Sequence, residues 1–356
     1  MENMNMPGQK SKRGFTLLEL MVSMAVGLIV MAAIASLFKA GMTSVLFVTQ
    51  RAETQQNLRA AIDLMVKDIS MAGAGLPSGG IQLPTGAGAT VSRYGCDQGG
   101  TCHVPAFNYP NANYMYGIIP GFSNGVEANA VIPAAPAPAI NDSITSIYAD
   151  YNFPLWEYNV TFTGGTGITL TPNATFVPAP PAINSAGGIV VGDLIMLSNS
   201  VGTAVGEVTG ITATTISFAN LDALNINQTG AASNNITAIS GGATTVAYRL
   251  YAVTYYLTVP AAGQTPRLMR QVNGLSPVPV ADDIINLQFA YDTYNAGALD
   301  ANQPNPLGVA ESPNNIQKIN IVVMGQSIIN NGNKSQNSYL ATSVSARNMA
   351  FRNRYQ

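Results

Sequence analysis

Hydrophobic and polar positions divide the chain into three regimes. From Phe15 to Phe38 the residues are apolar almost without interruption, and Glu19 is the only charged one. At about 1.5 Å rise per residue the run makes a helix roughly 36 Å long, enough to cross a hydrocarbon core of about 30 Å. Beyond it the pattern becomes a stripe: Val45, Val48, Ala52, Gln55, Leu58, Ile62, Met65 and Ile69 recur every three or four residues, the spacing of one helix face. Arg51, Glu53, Arg59, Asp63, Lys67 and Asp68 lie mostly off that stripe. Gly73, Gly75 and Pro77 then stop the helix. The pattern predicts one helix over residues 15–72, apolar all round in its first half and amphipathic in its second.

The rest of the chain has the short period of strands. Residues 73–140 show no sustained periodicity and read as a Gly/Pro-rich, loop-rich segment with a tyrosine cluster (Tyr94, Tyr109, Tyr114, Tyr116) and an Ala-Pro linker at 134–138. Strand-like runs follow at 143–148, 158–162, 167–171, 193–198, 204–211 and 215–218, separated by Gly, Asn and Pro. The runs from 193 to 218 suggest a small meander or barrel-like insertion, and Asn-rich 225–235 an exposed loop. From residue 246 the signal strengthens. Strands are expected over 248–259 and 266–271 as a hairpin, over 316–324 and over 339–344; residues 282–291 are expected to begin helically and run into a strand. The expected fold is α+β: one long N-terminal helix packed on an antiparallel β-rich head that carries an extra β insertion. The expected divisions are a leader (1–14), the long helix (15–72, with 15–38 transmembrane), a variable loop- and β-rich part of the head (73–245) and a β-sheet part (246–356).

Composition sharpens this picture at three points. Only 10% of the 356 residues are charged and the net charge is −2, which gives no electrostatic attraction for nucleic acid. The basic residues are unevenly spread, with Arg93 alone between Met71 and Tyr248. A nearly lysine-free, Thr/Asn/Gly-rich head points to an extracytoplasmic domain. The two cysteines, Cys96 and Cys102, are separated by a Gly-rich stretch that can turn back on itself, so a local disulfide is the leading reading in an oxidising compartment, with free thiols the alternative. A zinc site lacks ligands, His103 being the only histidine.

Three readings compete for the N-terminus. A secretory signal has a shorter apolar core and a small-residue cleavage site after it; here Gly14 precedes the run. A plain anchor, with Lys10, Lys12 and Arg13 on the cytoplasmic side, leaves Glu19 unexplained, because a carboxylate in a span costs on the order of 2.5–3.5 kcal/mol. The third reading is a resemblance. Basic residues, Gly14, then Phe15-Thr-Leu-Leu-Glu19 and about twenty apolar residues resemble the signal of type IV prepilins and type II secretion pseudopilins. The resemblance implies cleavage by prepilin peptidase after Gly14, N-methylation of Phe15, and pairing of Glu19 with the amino terminus of a neighbouring subunit during assembly. A buried carboxylate is tolerable when it meets a buried ammonium.

The order of the later strands, with the Arg347/Arg352/Arg354 tail, is similar to the PilW-like minor pilins and related to the J-type pseudopilin. It implies a structural subunit of a type IV pilus: first in the bacterial inner membrane with a periplasmic head, then in the extracellular pilus (fimbrium), with other minor and major pilins, prepilin peptidase and the assembly machinery as partners and cell adhesion as one service. The alternatives are a J-type pseudopilin and a membrane-anchored adhesin that never assembles.

The chemistry of an enzyme is missing from the sequence. The single histidine forms no nucleophile–base constellation, and no phosphate loop follows a strand. The expectation is a non-enzymatic protein without a cofactor. An oxygen-rich stretch containing Asp292, Asn295 and Asp300 is a weak calcium candidate that lacks the D-x-[DN]-x-[DN]-G register; an Asx-turn loop is the plainer expectation. Gly27 and Ser36 are either weak points of the first helix or small residues that let helices approach.

Overall fold

The computed structural model describes residues 14–93, 95–96, 113–121, 141–260, 264–295, 297–306, 312–329 and 334–349. The chain divides into two compact units, with the boundary between Glu53 and Thr54. Helix α1 (Leu17–Ser70) runs through the boundary, as the continuous apolar-then-amphipathic pattern requires. It passes Gly27 and Ser36 without a break, and the Ser36 hydroxyl donates to the Ala33 carbonyl at 2.8 Å.

Within the second unit, the last four turns of α1 pack against residues of two sheets. Leu58, Ala61, Ile62, Met65 and Ile69 are buried against Val253, Tyr255, Leu268, Leu287, Phe289, Ile321 and Val323. The apolar stripe therefore holds from Leu58 onward, whereas Val45, Val48, Ala52 and Gln55 are exposed. Each fully buried aliphatic side chain contributes roughly 1.5–3 kcal/mol of transfer free energy. A close approach is made possible by Gly325: a β-carbon there would sit 2.9 Å from Thr54 Cγ2 and 3.4 Å from Leu58 Cγ. The helix ends where Gly73 adopts φ +80, a left-handed conformation that side chains disfavour. The Gly73 amide then donates to the Ile147 carbonyl at 2.8 Å, handing the chain to the sheet.

Every described strand pair of the head is antiparallel. Short strands β1 (Ile81–Gln82) and β2 (Tyr114–Met115) pair with each other. β3 (Ile118–Gly121), β4 (Ser143–Asp150), β7 (Leu194–Ser198), β8 (Thr203–Glu207), β11 (Val246–Thr258), β12 (Arg267–Val272) and β13 (Val278–Asp282) make a seven-stranded sheet. β11 is its spine: one side pairs with β4, while the other pairs first with β7 and then with β12. Asn273, at φ +50, fills the gap where the partner changes; its side chain accepts from the Ala252 amide at 2.8 Å and donates to the Leu250 carbonyl at 3.1 Å. The main sheet thus draws strands from both sides of residue 245.

The second sheet, of four strands, contains β5 (Tyr158–Phe162), β6 (Gly167–Pro172), β10 (Thr215–Ser217) and β9 (Gly210–Ile211), in the order β5-β6-β10-β9. With the short helix α2 (Ile236–Ile239) it has its own apolar cluster around Leu155, Ile168, Ile183 and Phe218. This is the extra β insertion, but its make-up differs from the expected meander over 193–218. Leu194–Ser198 and Thr203–Glu207 form a hairpin that extends the main sheet, because their apolar faces continue the one offered by the first half of β11.

The third sheet, β14 (Ile284–Asn295), β15 (Ala298–Gln303), β16 (Ile316–Ile329) and β17 (Lys334–Ser345), has the order β15-β14-β16-β17. The expected helical start at 282–291 does not form. Val278–Asp282 and Ile284–Asn295 are both strands, turned by Asp283 at φ +60, because alternating Leu287, Phe289 and Tyr291 face the core under α1. The expected Asx-turn loop at 292–303 is a β14–β15 hairpin.

Two polar features depart from the sequence reading. Asp68, placed off the apolar stripe, is 3% exposed. It accepts from Tyr148 Oη (3.0 Å), Tyr255 Oη (2.6 Å) and Arg270 Nε (2.8 Å). The Asn-rich stretch 225–235, expected as an exposed loop, is largely inside. Asn227 and Asn235 are buried, and Asn227 exchanges two bonds with the main chain of Glu207, closing the outer edge of β8. Asparagine reads as loop by propensity, yet its amide can replace a missing strand partner.

Candidate assembly and processing site

The first unit contains the residues singled out for processing and assembly. Gly14 precedes the helix with nothing within 4 Å of where a β-carbon would stand. The fold makes no demand for glycine at this position, so a requirement for the smallest residue here comes from whatever reads the segment. Phe15 is 86% exposed.

Helix α1 opens with a reciprocal cap. The Glu19 amide donates to Thr16 Oγ1 at 3.3 Å, while the Thr16 amide donates to Glu19 Oε2 at 3.1 Å and the Thr16 hydroxyl to the same oxygen at 3.1 Å. This is the capping-box arrangement, which satisfies two amides that the helix start leaves orphaned. A carboxylate in the first turn also meets the positive end of the helix dipole. Glu19 is thus held locally by its own chain, a role that the Thr-x-x-Glu spacing offered and the sequence reading did not use. Its carboxylate remains on an exposed helix face.

The apolar surface after Glu19 is bare. Leu20, Met21, Met24, Leu28, Ile29, Met31, Ile34, Leu37 and Phe38 are all more than half exposed. Among the described residues α1 is the one helix long and apolar enough to cross a membrane. Gly27 and Gly41 have open space around them. A surface of this kind in water would aggregate, so it is built for lipid or for like helices.

The other sequence candidates stand apart. Lys10, Lys12 and Arg13 lie outside the described residues. Cys96 is fully buried, and its expected partner Cys102 lies outside the described residues, as do His103, Tyr94, Tyr109 and the Arg352/Arg354 tail. Tyr114 and Tyr116 stack on each other at 5.8 Å, which fits local packing. Asp292, Asn295 and Asp300 are strung along the β14–β15 hairpin. The Asp292 carboxylate already has a cation, Lys318 Nζ at 2.7 Å, and accepts from the Asn302 amide at 2.9 Å and Asn320 Nδ2 at 3.1 Å. Partial burial opposes its ionisation, but these donors outweigh it and hold the carboxyl below its usual range. Among the described residues no group of three or more His, Cys, Asp or Glu side chains converges as a metal site would need.

Residues 9–35 match the family model described as the prokaryotic N-terminal methylation motif. No curated protein and no solved structure matches the chain. The motif identifies a type IV prepilin-like N-terminus, of the kind processed by prepilin peptidase and assembled with other pilins. Together with the apolar helix it fits membrane anchoring followed by assembly.

Proposed function

We propose that the protein is a minor pilin of PilW-like type, a structural and non-enzymatic subunit that takes part in assembling or priming a type IV pilus. The observation that carries this reading is a coincidence on one segment. The methylation motif at 9–35 runs into a helical segment, up to Phe38, whose large apolar side chains are exposed.

The steps follow from the chemistry of those residues. Lys10, Lys12 and Arg13 hold the leader on the cytoplasmic face. Prepilin peptidase hydrolyses the peptide bond after Gly14, and N-methylation follows on the freed Phe15 amine. The subunit waits in the inner membrane with its head in the periplasm, where a Cys96–Cys102 disulfide would form. Helix 15–38 then leaves lipid for a bundle of like helices. There the Glu19 carboxylate, too costly to leave unpaired in an apolar core, meets the amino terminus of a neighbour and sets the register. The divisions at residues 14, 72 and 245 belong to the same proposal: leader, helix, variable part and sheet part of the head.

Mass spectrometry of the mature N-terminus tests the reading. The expected first residue is N-methylated Phe15. A mature chain beginning anywhere else, or an unmodified full leader in cells with active peptidase, would overturn it.

A further inference from the structure

A strand at the rim of a sheet exposes unpaired main-chain donors and acceptors, and native proteins blunt such rims with short strands, charge, proline, bulges or cover. The described rims of the head follow that rule, with one exception. β13 has five residues with Pro279, Asp282 and a register shift against β12. β3 has four, including Pro120. β15 has six, with Asp300 and a shift against β14. β5 has five and β9 two. β8 has five, and the Asn227 side chain takes both main-chain groups of its last residue, Glu207.

Beyond Lys334 at its first position, β17 has none of these devices. It is 12 residues long and pairs with β16 from Lys334↔Ile329 to Ser345↔Lys318 without a register shift. From Ser335 to Ser345 it contains no charge, proline or glycine. No described strand pairs with its outer side. Leu340 and Val344 point at the core under α1. Tyr339 (75% exposed), Ala341 and Ser343 face out.

We propose that β17 is the docking edge for a second copy of this chain, the two β17 strands pairing antiparallel about a two-fold axis near Leu340. The two four-stranded sheets then continue into one another. Length and charge select the occupant. Every other described rim that a copy could offer spans at most six residues, whereas β17 matches itself over its whole length. The run 335–345 is uncharged, so antiparallel self-pairing opposes no like charges. Centred on Leu340, the pairing sets Tyr339 opposite Ala341 of the second copy, which covers the largest exposed ring on the strand. An isologous contact of this kind closes at two copies. Main-chain bonds supply the affinity, as in strand addition generally. The inference rests on the sheet and does not require helix 15–38 to enter a filament.

Cysteine scanning in the full chain, in membranes, tests it. Gln336, Ser338, Tyr339, Ala341 and Ser343 are replaced singly by Cys and treated with a short homobifunctional thiol crosslinker, since a thiol at 339 or 341 meets its own copy diagonally, about 7–8 Å away, too far for a direct disulfide; the parent chain serves as background for Cys96 and Cys102. The expected result is a homodimer band strongest at Tyr339→Cys and Ala341→Cys and at background for Gln336→Cys and Ser343→Cys. Adding Ala341→Lys to Tyr339→Cys, which sets lysines against each other across the axis, should abolish the band. The pattern should persist with Glu19→Ala, so a failed pilin reading and a failed edge are told apart. A flat yield along the strand, no band at any position, loss of the band with Glu19→Ala, or capture of a different protein in place of a second copy would overturn the proposal.

Discussion

The Asp68 carboxylate on α1 and the Arg270 guanidinium on β12 meet at 2.8 Å, with Tyr148 and Tyr255 donating to the same carboxylate. This cluster ties the last turns of α1 to the main sheet. The carboxylate is nearly buried and takes bonds from three side chains, so it is a fully satisfied polar network rather than an exposed ion pair. Burial, followed by the nearby Asp68 charge, pushes the Tyr148 and Tyr255 phenols well above their ordinary range, which keeps both as donors at any physiological pH.

Asp68→Ala should therefore cost more than a surface substitution. It strands a half-buried guanidinium, the half-buried Tyr148 phenol and the buried Tyr255 phenol at once, and breaking a buried pair from one side costs about 3–5 kcal/mol. The expected outcome is a clear drop in the unfolding midpoint of the full chain in detergent. Asp68→Asn, which can still accept a hydrogen bond, should lose less. Equal stability of Asp68→Ala and the parent would remove the tether from the account.

Gly325 is the steric counterpart. Gly325→Val brings a branched side chain to where the β-carbon alone already crowds Thr54 and Leu58. Overpacking of this kind costs about 1–3 kcal/mol. A denaturant midpoint shift of that order at unchanged slope is expected, and Gly325→Ala should fall between Val and the parent.

Glu207 sets a pH dependence. Burial is the main cause that pushes its carboxyl up to about 8; the Leu224 amide pulls the other way, and the neighbouring Asp222 carboxylate adds to the rise. The groups facing it are Asp222, the Leu224 amide at 3.0 Å and Gly274, where a β-carbon would meet Glu207 Oε1. In the unfolded chain a glutamate titrates near 4.3. Between that value and about 8 the folded chain holds a proton that the unfolded chain has released. Stability therefore falls as pH rises through this window. Thermal unfolding from pH 5 to pH 8.5 should show the decline, and Glu207→Gln should flatten it; an unchanged slope in that variant would assign the dependence elsewhere.

Glu19 has two separable duties, a local cap and a charge for a neighbour. Glutamine still completes a capping box, whereas alanine does not. Loss of the cap alone should cost the helix about 0.5–2 kcal/mol. If charge pairing drives assembly, Glu19→Gln and Glu19→Ala should both remain cleaved after Gly14 and both be missing from sheared pili. Incorporation of Glu19→Gln at the parental level would reduce the role of Glu19 to capping.

Much of this molecule could be read without coordinates. The apolar run after Gly14 and the 3–4 spacing from Leu58 to Ile69 dictate α1, since both periods are local and helix hydrogen bonds close within one turn. The methylation motif is linear for the same reason: it is a pattern of consecutive residues, and Gly14 has no structural neighbours to satisfy. Strands such as 158–162 were legible to the residue because alternation and turn residues are local too. The register that joins β4, β7 and β12 along β11 was not legible, because pairing partners lie up to 111 positions apart (Ile144 on β4 and Tyr255 on β11) and alternation alone does not select one. Burial of Asp68 and Asn227 was equally out of reach. A polar residue in a pattern reads as surface, and only the tertiary structure supplies the donors that make its burial affordable. The sequence by itself determined the methylation motif, the apolar run and the capping residues of the long helix; the packing of distant segments decided which polar groups lie inside and left the outer side of β17 without a described strand partner, because both depend on contacts that no local pattern encodes.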